Sequence, residues 1–424
     1  MPQDLIVGLD IGTTKICAVV GEVRENQVDI VGLGCAPTNG GLRKGVVVNI
    51  ENTVRAIRRA VEEAETMAGC EIRSVYAGVG GGQTKVINSQ WIIAIKDREV
   101  TPADMERVID TARTVAIPSD REVIHTLVQE FLIDGQDGIK DPVGIHGVRL
   151  ECKVHIVTGA VTSLNNILKC ANRAGLEVNG IALQSLAAGE AVLTDEEKEL
   201  GVALIDFGGG TTNLAIFAEN ALRQNFVLPV GGNNLTNDIA VGLPTSLHSA
   251  EEIKKHYGSC LNALPDPMEM LEVPGLTGRD TQQLPRARLA EIIHLRVAEI
   301  INLLGKEVQR ARFNHPLHSG AVLTGGTALV HGLPELTGEA FQMHTRIGYP
   351  VGVGGLIDVI HDPSFATGVG LVLYGFKTQQ KARRKTDRWP QGGGWSRGRD
   401  GGWSRGRGGG GLWSRVKKWF REVV

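Results

Sequence analysis

Two stretches nearly two hundred residues apart repeat one pattern, and the repetition limits the possible fold more than any other feature. LIVGLDIGTTKICAVVGEV near the start and GVALIDFGGGTTNLAIF from Gly201 each run apolar strand, Asp, Gly/Thr-rich turn, apolar strand. Each therefore predicts a carboxylate, Asp10 or Asp206, at a strand end beside a loop with uncovered backbone N–H groups. The first loop is Gly12, Thr13, Thr14 and Lys15; the second is Gly208, Gly209, Gly210 and Thr211. Glycines let the backbone approach phosphate oxygens closely, and successive N–H groups make an anion-binding nest to which Thr hydroxyls and Lys15 add donors. Two carboxylates beside a polyphosphate require a cation, and Mg²⁺ held largely through water fits Asp10 and Asp206. A third turn, AVLTGGTALVHGLPEL, places Gly325 and Gly326 between a strand and a helix, where a base and ribose would rest. Any one of these turns alone reads as an ordinary hairpin; the three in this order are far more specific. None is a G-x-x-x-x-G-K-[ST] loop or a GxGxxG fingerprint.

Between these turns the pattern alternates. In NTVRAIRRAVEEAETMAG, Val54, Ile57, Val61, Ala64 and Ala68 share a helical face and Gly69 supplies a stop. A second helix is predicted from Thr101-Pro102, and strands at EVIHTLVQEFLI and RLECKVHIVTG. Strands interleaved with helices give an α/β class. A chain of 424 residues, 42% hydrophobic and 22% charged, has room for more than one folded domain. The six cysteines are scattered without metal-ligand spacing and are expected as reduced thiols, with Cys17 packing on a core strand. His315 and His318 lack neighbouring ligands for a metal. MPQDLIVG does not read as a signal peptide, and no apolar run reaches the length of a membrane span.

The net charge of -2 conceals a division. Of the 45 basic and 47 acidic residues, 14 and 3 respectively lie from Lys377 onward, so a basic appendage follows an acidic body. Its partner is expected to be anionic, a lipid surface or nucleic acid. Folding is expected to end near Phe376. Residues 377–411, with 11 glycines among the 20 from Gly392 and a repeated GGWSRGR, read as a disordered linker. Its 35 residues would typically span roughly 30–35 Å.

Residues 412–424 are different. On a helical wheel Leu412, Trp413, Val416, Trp419, Phe420, Val423 and Val424 occupy one arc of about 140°. Ser414, Arg415, Lys417, Lys418, Arg421 and Glu422 take the rest. Such a helix is about 20 Å long, too short to cross a bilayer core of about 30 Å, and suits lying in the headgroup plane of an anionic membrane. The WSRGR repeats combine guanidinium and aromatic groups as single-strand binders do, yet a basic tether is the preferred reading and nucleic acid is not the expected partner.

The three turns resemble the two phosphate motifs and the adenosine motif of the actin, Hsp70 and sugar-kinase superfamily. QEFLIDGQDGIKDPVGIHGVRLECKVHIVTG, SLAAGEAVLTDEEKELGVALIDFGGGTT and VLTGGTALVHGLPELTGEAFQMHTRIGYP narrow this to the FtsA family of bacterial cell-division proteins, over residues 4–376. That resemblance implies an actin-like two-lobed fold with a duplicated sheet core. Residues 1–83, 164–198 and 351–376 would form the first large lobe, and 199–227 with 301–350 the second. Residues 84–163 would be the family's relocated small subdomain, and 228–300 the second one. It further implies ATP and Mg²⁺ in the cleft, self-association into filaments, and tethering of the FtsZ ring to the cytoplasmic face of the inner membrane at the septum. Later division proteins would be recruited there. The FtsZ C-terminal peptide, acidic and apolar, would dock on 228–300, where Arg279, Arg286, Arg288 and Arg296 flank an apolar helical stripe.

Hydrolysis is the least marked property. Gln184 stands where the superfamily often keeps a water-orienting Gln or Glu, Glu190 is a second catalytic candidate, and Asn213 replaces the Asp that many relatives carry after GGGTT. At most a weak ATPase is expected, with ATP mainly a ligand of the filament state. The competing enzyme reading, a sugar-kinase-like phosphotransferase, lacks a clear Asp base. An Hsp70-like chaperone would need a far larger C-terminal domain.

Overall fold

The computed structural model describes residues 4–261, 269–276 and 280–387. Each Asp-bearing repeat becomes a hairpin at the centre of its own sheet. In the first, Leu5–Ile11 pairs antiparallel with Lys15–Arg24, which pairs with Gln27–Pro37. Ser74–Val79 then adds in parallel to the free side of Leu5–Ile11, and Glu177–Leu183 in parallel to that. In the second, Val202–Phe207 pairs antiparallel with Thr212–Ala218, which pairs with Ala221–Leu228, while Ala321–Thr324 and Thr345–Ile347 add in parallel on the other side. Asp10 and Asp206 are each the next-to-last residue of an equivalent strand.

These central strands are apolar on both faces because helices cover both. The Ile50–Ala68 helix, capped by the Asn49 side chain and ended by Gly69 at φ 64°, packs on Gln27–Pro37. There it comes so close that a Cβ on Gly34 would lie 2.0 Å from the Ala60 carbonyl oxygen. On the opposite face lies Ala366–Asp387, whose Gly370 faces the Ala187 carbonyl with no room for a methyl group. This helix thereby fixes the short Gln184–Val192 helix that follows the strand Glu177–Leu183.

Between Ser74–Val79 and Glu177–Leu183 the chain makes a separate sheet in the order Thr84–Ala94, Arg149–Ala160, Arg121–Ile133, Gln136–Ile139. The helix Pro102–Arg113, started by a Thr101–Asp104 capping box, covers one face over Phe131, Leu150, Val154 and Ile156. A second small region carries Gly232–Gly242, Leu247–Tyr257, the hairpin Met270–Pro274 with Thr281–Pro285, and the long helix Arg286–Asn314.

Two expectations need correction. The fold continues past Phe376: Ala366–Asp387 is one helix, held to the body by Lys377 on Glu190, Gln380 on Asn26 and Arg383 on Asp4. Its basic composition reads as linker only when those acidic and amide partners, all distant in sequence, are unseen. Cys17 and Cys35 stand directly opposite each other across two paired strands and are joined as a disulfide, whereas Cys70, Cys152, Cys170 and Cys260 are free. A separation of 18 residues does not reveal such pairing; strand register does. Residues 388–424, including the expected amphipathic segment, lie outside the described residues.

Candidate functional site

The two turns close in the same way. The Gly12 N–H donates to the Lys15 carbonyl at 3.1 Å, and the Gly208 N–H to the Thr211 carbonyl at 3.0 Å. The turns meet face to face, and the Thr13 and Thr14 side chains of the first fill the space that a side chain on Gly209 or Gly210 of the second would need. A Cβ on Gly209 would fall 1.9 Å from Thr14 Oγ1, and one on Gly210 2.5 Å from Thr13 Oγ1. Further bonds hold this arrangement: Thr13 Oγ1 accepts from the Gly45 N–H at 2.9 Å, and the Asn233 N–H donates to the Gly209 carbonyl at 2.7 Å. Thr14 Oγ1 reaches across to Asn233 Oδ1 at 3.3 Å.

Asp10 and Asp206 both line the resulting cavity of about 610 Å³. Asp10 Oδ1 accepts from Gln184 Nε2 at 2.9 Å, and Asp206 Oδ2 from Asn213 Nδ2 at 3.3 Å. Burial, and for Asp10 also the charge of Asp206, pushes each carboxyl up to about 6. Asn213 Oδ1 is buried without a partner. Two desolvated carboxylates and an orphaned amide oxygen form a hard-oxygen set that fits a divalent cation such as Mg²⁺. Lys15 Nζ donates to Ser364 Oγ at 2.8 Å and lies 4.1 Å over the Phe365 ring; burial lowers its pKa. Gly325, at φ 83°, leaves only 2.3 Å between a would-be Cβ and Asp206 Oδ1, so the third turn rests directly on the second carboxylate. Gly326 opens the short helix Gly326–Leu329 beside it.

All twelve residues read as cofactor-binding line this cavity, and so does Gln184. Glu190 does not. It faces away along the same helix and accepts from Lys198 at 3.5 Å and from Lys377. Burial alone would raise its carboxyl, and the two lysines outweigh that and hold it below the usual range. Glu190 is thus an ion-pair anchor between helices and has no catalytic position.

The arginines assigned to a partner are engaged internally. Arg286 binds Glu269 at 2.6 Å, Arg288 donates to the Gly242 carbonyl at 3.0 Å, and Arg296 grips Asp238 with two bonds at 2.5 and 3.0 Å. Arg279 falls outside the described residues, as do Leu412, Trp413, Val416, Trp419, Phe420 and Val423 with Arg415, Lys417, Lys418 and Arg421.

Sequence reading missed one wall of the cavity, Glu251, Lys254 and Lys255 on the Leu247–Tyr257 helix. Lys254 Nζ donates to Glu251 Oε2 at 2.6 Å and to Thr236 Oγ1 at 2.9 Å. EEIKKHY in a sequence looks like any solvated helix face, and no local signal marks it.

Comparison with known proteins agrees with this geometry. The chain is 50% identical over 376 residues to the cell division protein FtsA of Pseudomonas aeruginosa, covering 88% of this chain and 90% of that one. The chain belongs to the FtsA family. It is 45% identical over 372 residues to FtsA of Neisseria meningitidis, covering 87% and 90%, and 38% identical over 394 residues to FtsA of Escherichia coli K12, covering 91% and 94%. The family description "Cell division protein FtsA" matches residues 203–370, and "SHS2 domain inserted in FTSA" matches residues 81–158, the stretch that forms the separate four-stranded sheet. This FtsA-family chain has an actin-like fold. The PilM–PilN type IV pilus biogenesis complex superposes with TM-score 0.65 at 19% identity, covering 88% of this chain and 99% of that one. MreB5 of Spiroplasma citri bound to AMPPNP does so with TM-score 0.53 at 15% identity, covering 90% and 98%.

Proposed function

We propose that this protein binds ATP with Mg²⁺ in the cavity between the two turns, assembles with itself as a filament, and tethers the FtsZ division ring to the cytoplasmic face of the inner membrane. The observation carrying the nucleotide reading is the pair Asp10 and Asp206, both held near 6 at the meeting point of two glycine turns. A cation would relieve both carboxylates, and Mg²⁺ when bound would offset phosphate charge. The backbone N–H groups of Thr13 and Thr14 and of Gly209–Thr211, with Lys15, would bind phosphate oxygens, while those of Gly12 and Gly208 close the turns. Glu251 would face the ribose hydroxyls, and Gly325 and Gly326 would flank the adenosine. Gln184, already on Asp10, would orient a water for slow hydrolysis.

Attachment would fall to residues 412–424. Four basic side chains at up to about 1 kcal/mol each on anionic lipid, plus an aromatic face, give reversible binding for one chain and firm binding for a filament. The region 228–300 would receive the FtsZ C-terminal peptide, and the inserted sheet would meet neighbouring subunits and later division proteins.

Flotation with anionic liposomes tests the whole reading, comparing the full chain with one ending at Gly411, each with and without Mg·ATP. Flotation of the full chain alone, strengthened by Mg·ATP with filaments on the vesicles, is expected. Equal flotation of both chains removes the tail from the proposal, and indifference to Mg·ATP removes the link between cavity and membrane.

A further inference from the structure

The strand Arg121–Ile133 of the inserted sheet touches both large lobes. Gln129 Nε2 reaches the Leu222 carbonyl of the second lobe at 3.5 Å. On the first lobe, the buried His125 accepts through Nε2 the N–H of Leu183, at 3.0 Å. A backbone amide can only donate, so Nε2 carries no proton and His125 is the neutral tautomer. Burial favours that state by pushing its pKa down to about 4.

The position of that bond matters. Leu183 is the N-cap of the Gln184–Val192 helix, and no side chain of its own segment caps it. The inserted sheet therefore supplies an acceptor that the helix start lacks locally. One residue later, Gln184 donates to Asp10 at 2.9 Å. The next, Ser185, donates its hydroxyl to Asn225 Oδ1 of the second lobe at 2.5 Å. Gln184 is also hemmed in by the first lobe just before the chain enters the inserted subdomain, since a Cβ on Gly80 would lie 2.0 Å from Gln184 Oε1. Tyr374, edge-on to His125 at 5.7 Å, ties the same point to the Ala366–Asp387 helix.

We propose that His125 is a positioning residue for the cleft: it fixes the helix start that presents Gln184 to Asp10, so that displacement of the inserted subdomain and occupancy of the cavity are coupled. The coupling is reciprocal, so a partner or neighbouring subunit that moves the inserted sheet changes nucleotide handling, and nucleotide changes the sheet. The nucleotide half of this rests on the ATP reading given above; the mechanical half does not.

The test uses the full chain as wild type, His125→Leu and His125→Gln, followed by amide hydrogen exchange with and without Mg·ATP, alongside Mg·ATP affinity and melting. His125→Leu keeps the volume and removes the acceptor; glutamine Oε1 restores one. Without nucleotide, the Leu183 and Gln184 amides should exchange roughly five- to tenfold faster in His125→Leu, the loss of one hydrogen bond, and near the wild-type rate in His125→Gln. With Mg·ATP, the strand Arg121–Ile133 should gain protection in wild type and His125→Gln, while His125→Leu binds Mg·ATP yet shows no such gain. Unchanged exchange at Leu183 and Gln184 in His125→Leu overturns the proposal. Equal defects in both variants, in step with melting, overturn it as well by making His125 a packing residue. Failure of the wild type to bind Mg·ATP, with the nucleotide-free differences intact, sinks the ATP reading and leaves the mechanical link standing.

Discussion

Asp10→Asn offers a sharp check on the cleft. Its carboxyl sits at about 6 against a model-peptide value of 3.8, chiefly from burial and then from Asp206. Folding therefore favours the protonated form. That contribution is fully present below 3.8 and is lost as pH rises through about 6, so at pH 7.5 the ionised pair weakens the native state. A shift of about 2 pH units at 1.36 kcal/mol each sets a ceiling of about 3 kcal/mol, and water in the open cavity lowers the expected figure to about 1–3 kcal/mol. Asparagine keeps an oxygen for Gln184 Nε2 and removes the charge. Nucleotide-free Asp10→Asn should accordingly melt higher than wild type at pH 7.5, by roughly 1–2 °C per kcal/mol for a folded body of this size. The gap should shrink from pH 6 to pH 4 as wild-type Asp10 takes up its proton. Mg·ATP at a hundred times Kd should stabilise wild type by about 2.7 kcal/mol and the variant far less. Thermal and urea unfolding across this pH range, with and without Mg·ATP, measure all three. A variant that melts lower at pH 7.5 without nucleotide, or that keeps the full Mg·ATP shift, would refute the reasoning.

Other substitutions separate binding from architecture. Gly210→Ala, whose methyl would meet three atoms of Thr13 within 2.8 Å, should weaken Mg·ATP binding by at least about tenfold, more than Gly209→Ala, where the Thr14 hydroxyl can rotate aside. Equal affinities in a fluorescent-nucleotide titration would show that the turns do not need their direct contact. Glu190→Gln should leave any ATP turnover unchanged while lowering the melting temperature, because it breaks contacts to Lys198 and Lys377 outside the cavity. Arg296→Ala should cost about 1 kcal/mol or more by freeing Asp238 from a two-bond pair, read as a drop in urea midpoint. An acidic FtsZ-like peptide that loses affinity for Arg296→Ala with no loss of stability would return Arg296 to the partner surface.

Much of the cleft was legible because backbone chemistry is local. Asp10 with Gly12–Lys15 and Asp206 with Gly208–Thr211 announce tight turns whatever surrounds them, and the apolar runs on either side announce strands covered on both faces. The duplicated hairpin follows from those few residues, as does the α/β class. The sequence also marks Gly325, where only glycine fits against Asp206, together with Gly326 beside it. Other features depend on which segments meet, and no local pattern encodes that. Glu251 and Lys254 join the cavity because a helix from another region packs over it; Glu190 leaves the catalytic list because Lys377 arrives from almost two hundred residues away. Cys17 meets Cys35 through strand register, and His125 reaches Leu183 only once the inserted sheet has docked. Turns and periodicities are fixed by neighbours within a few residues, whereas ion pairs, caps supplied from elsewhere and cavity walls arise only when distant surfaces exclude water together.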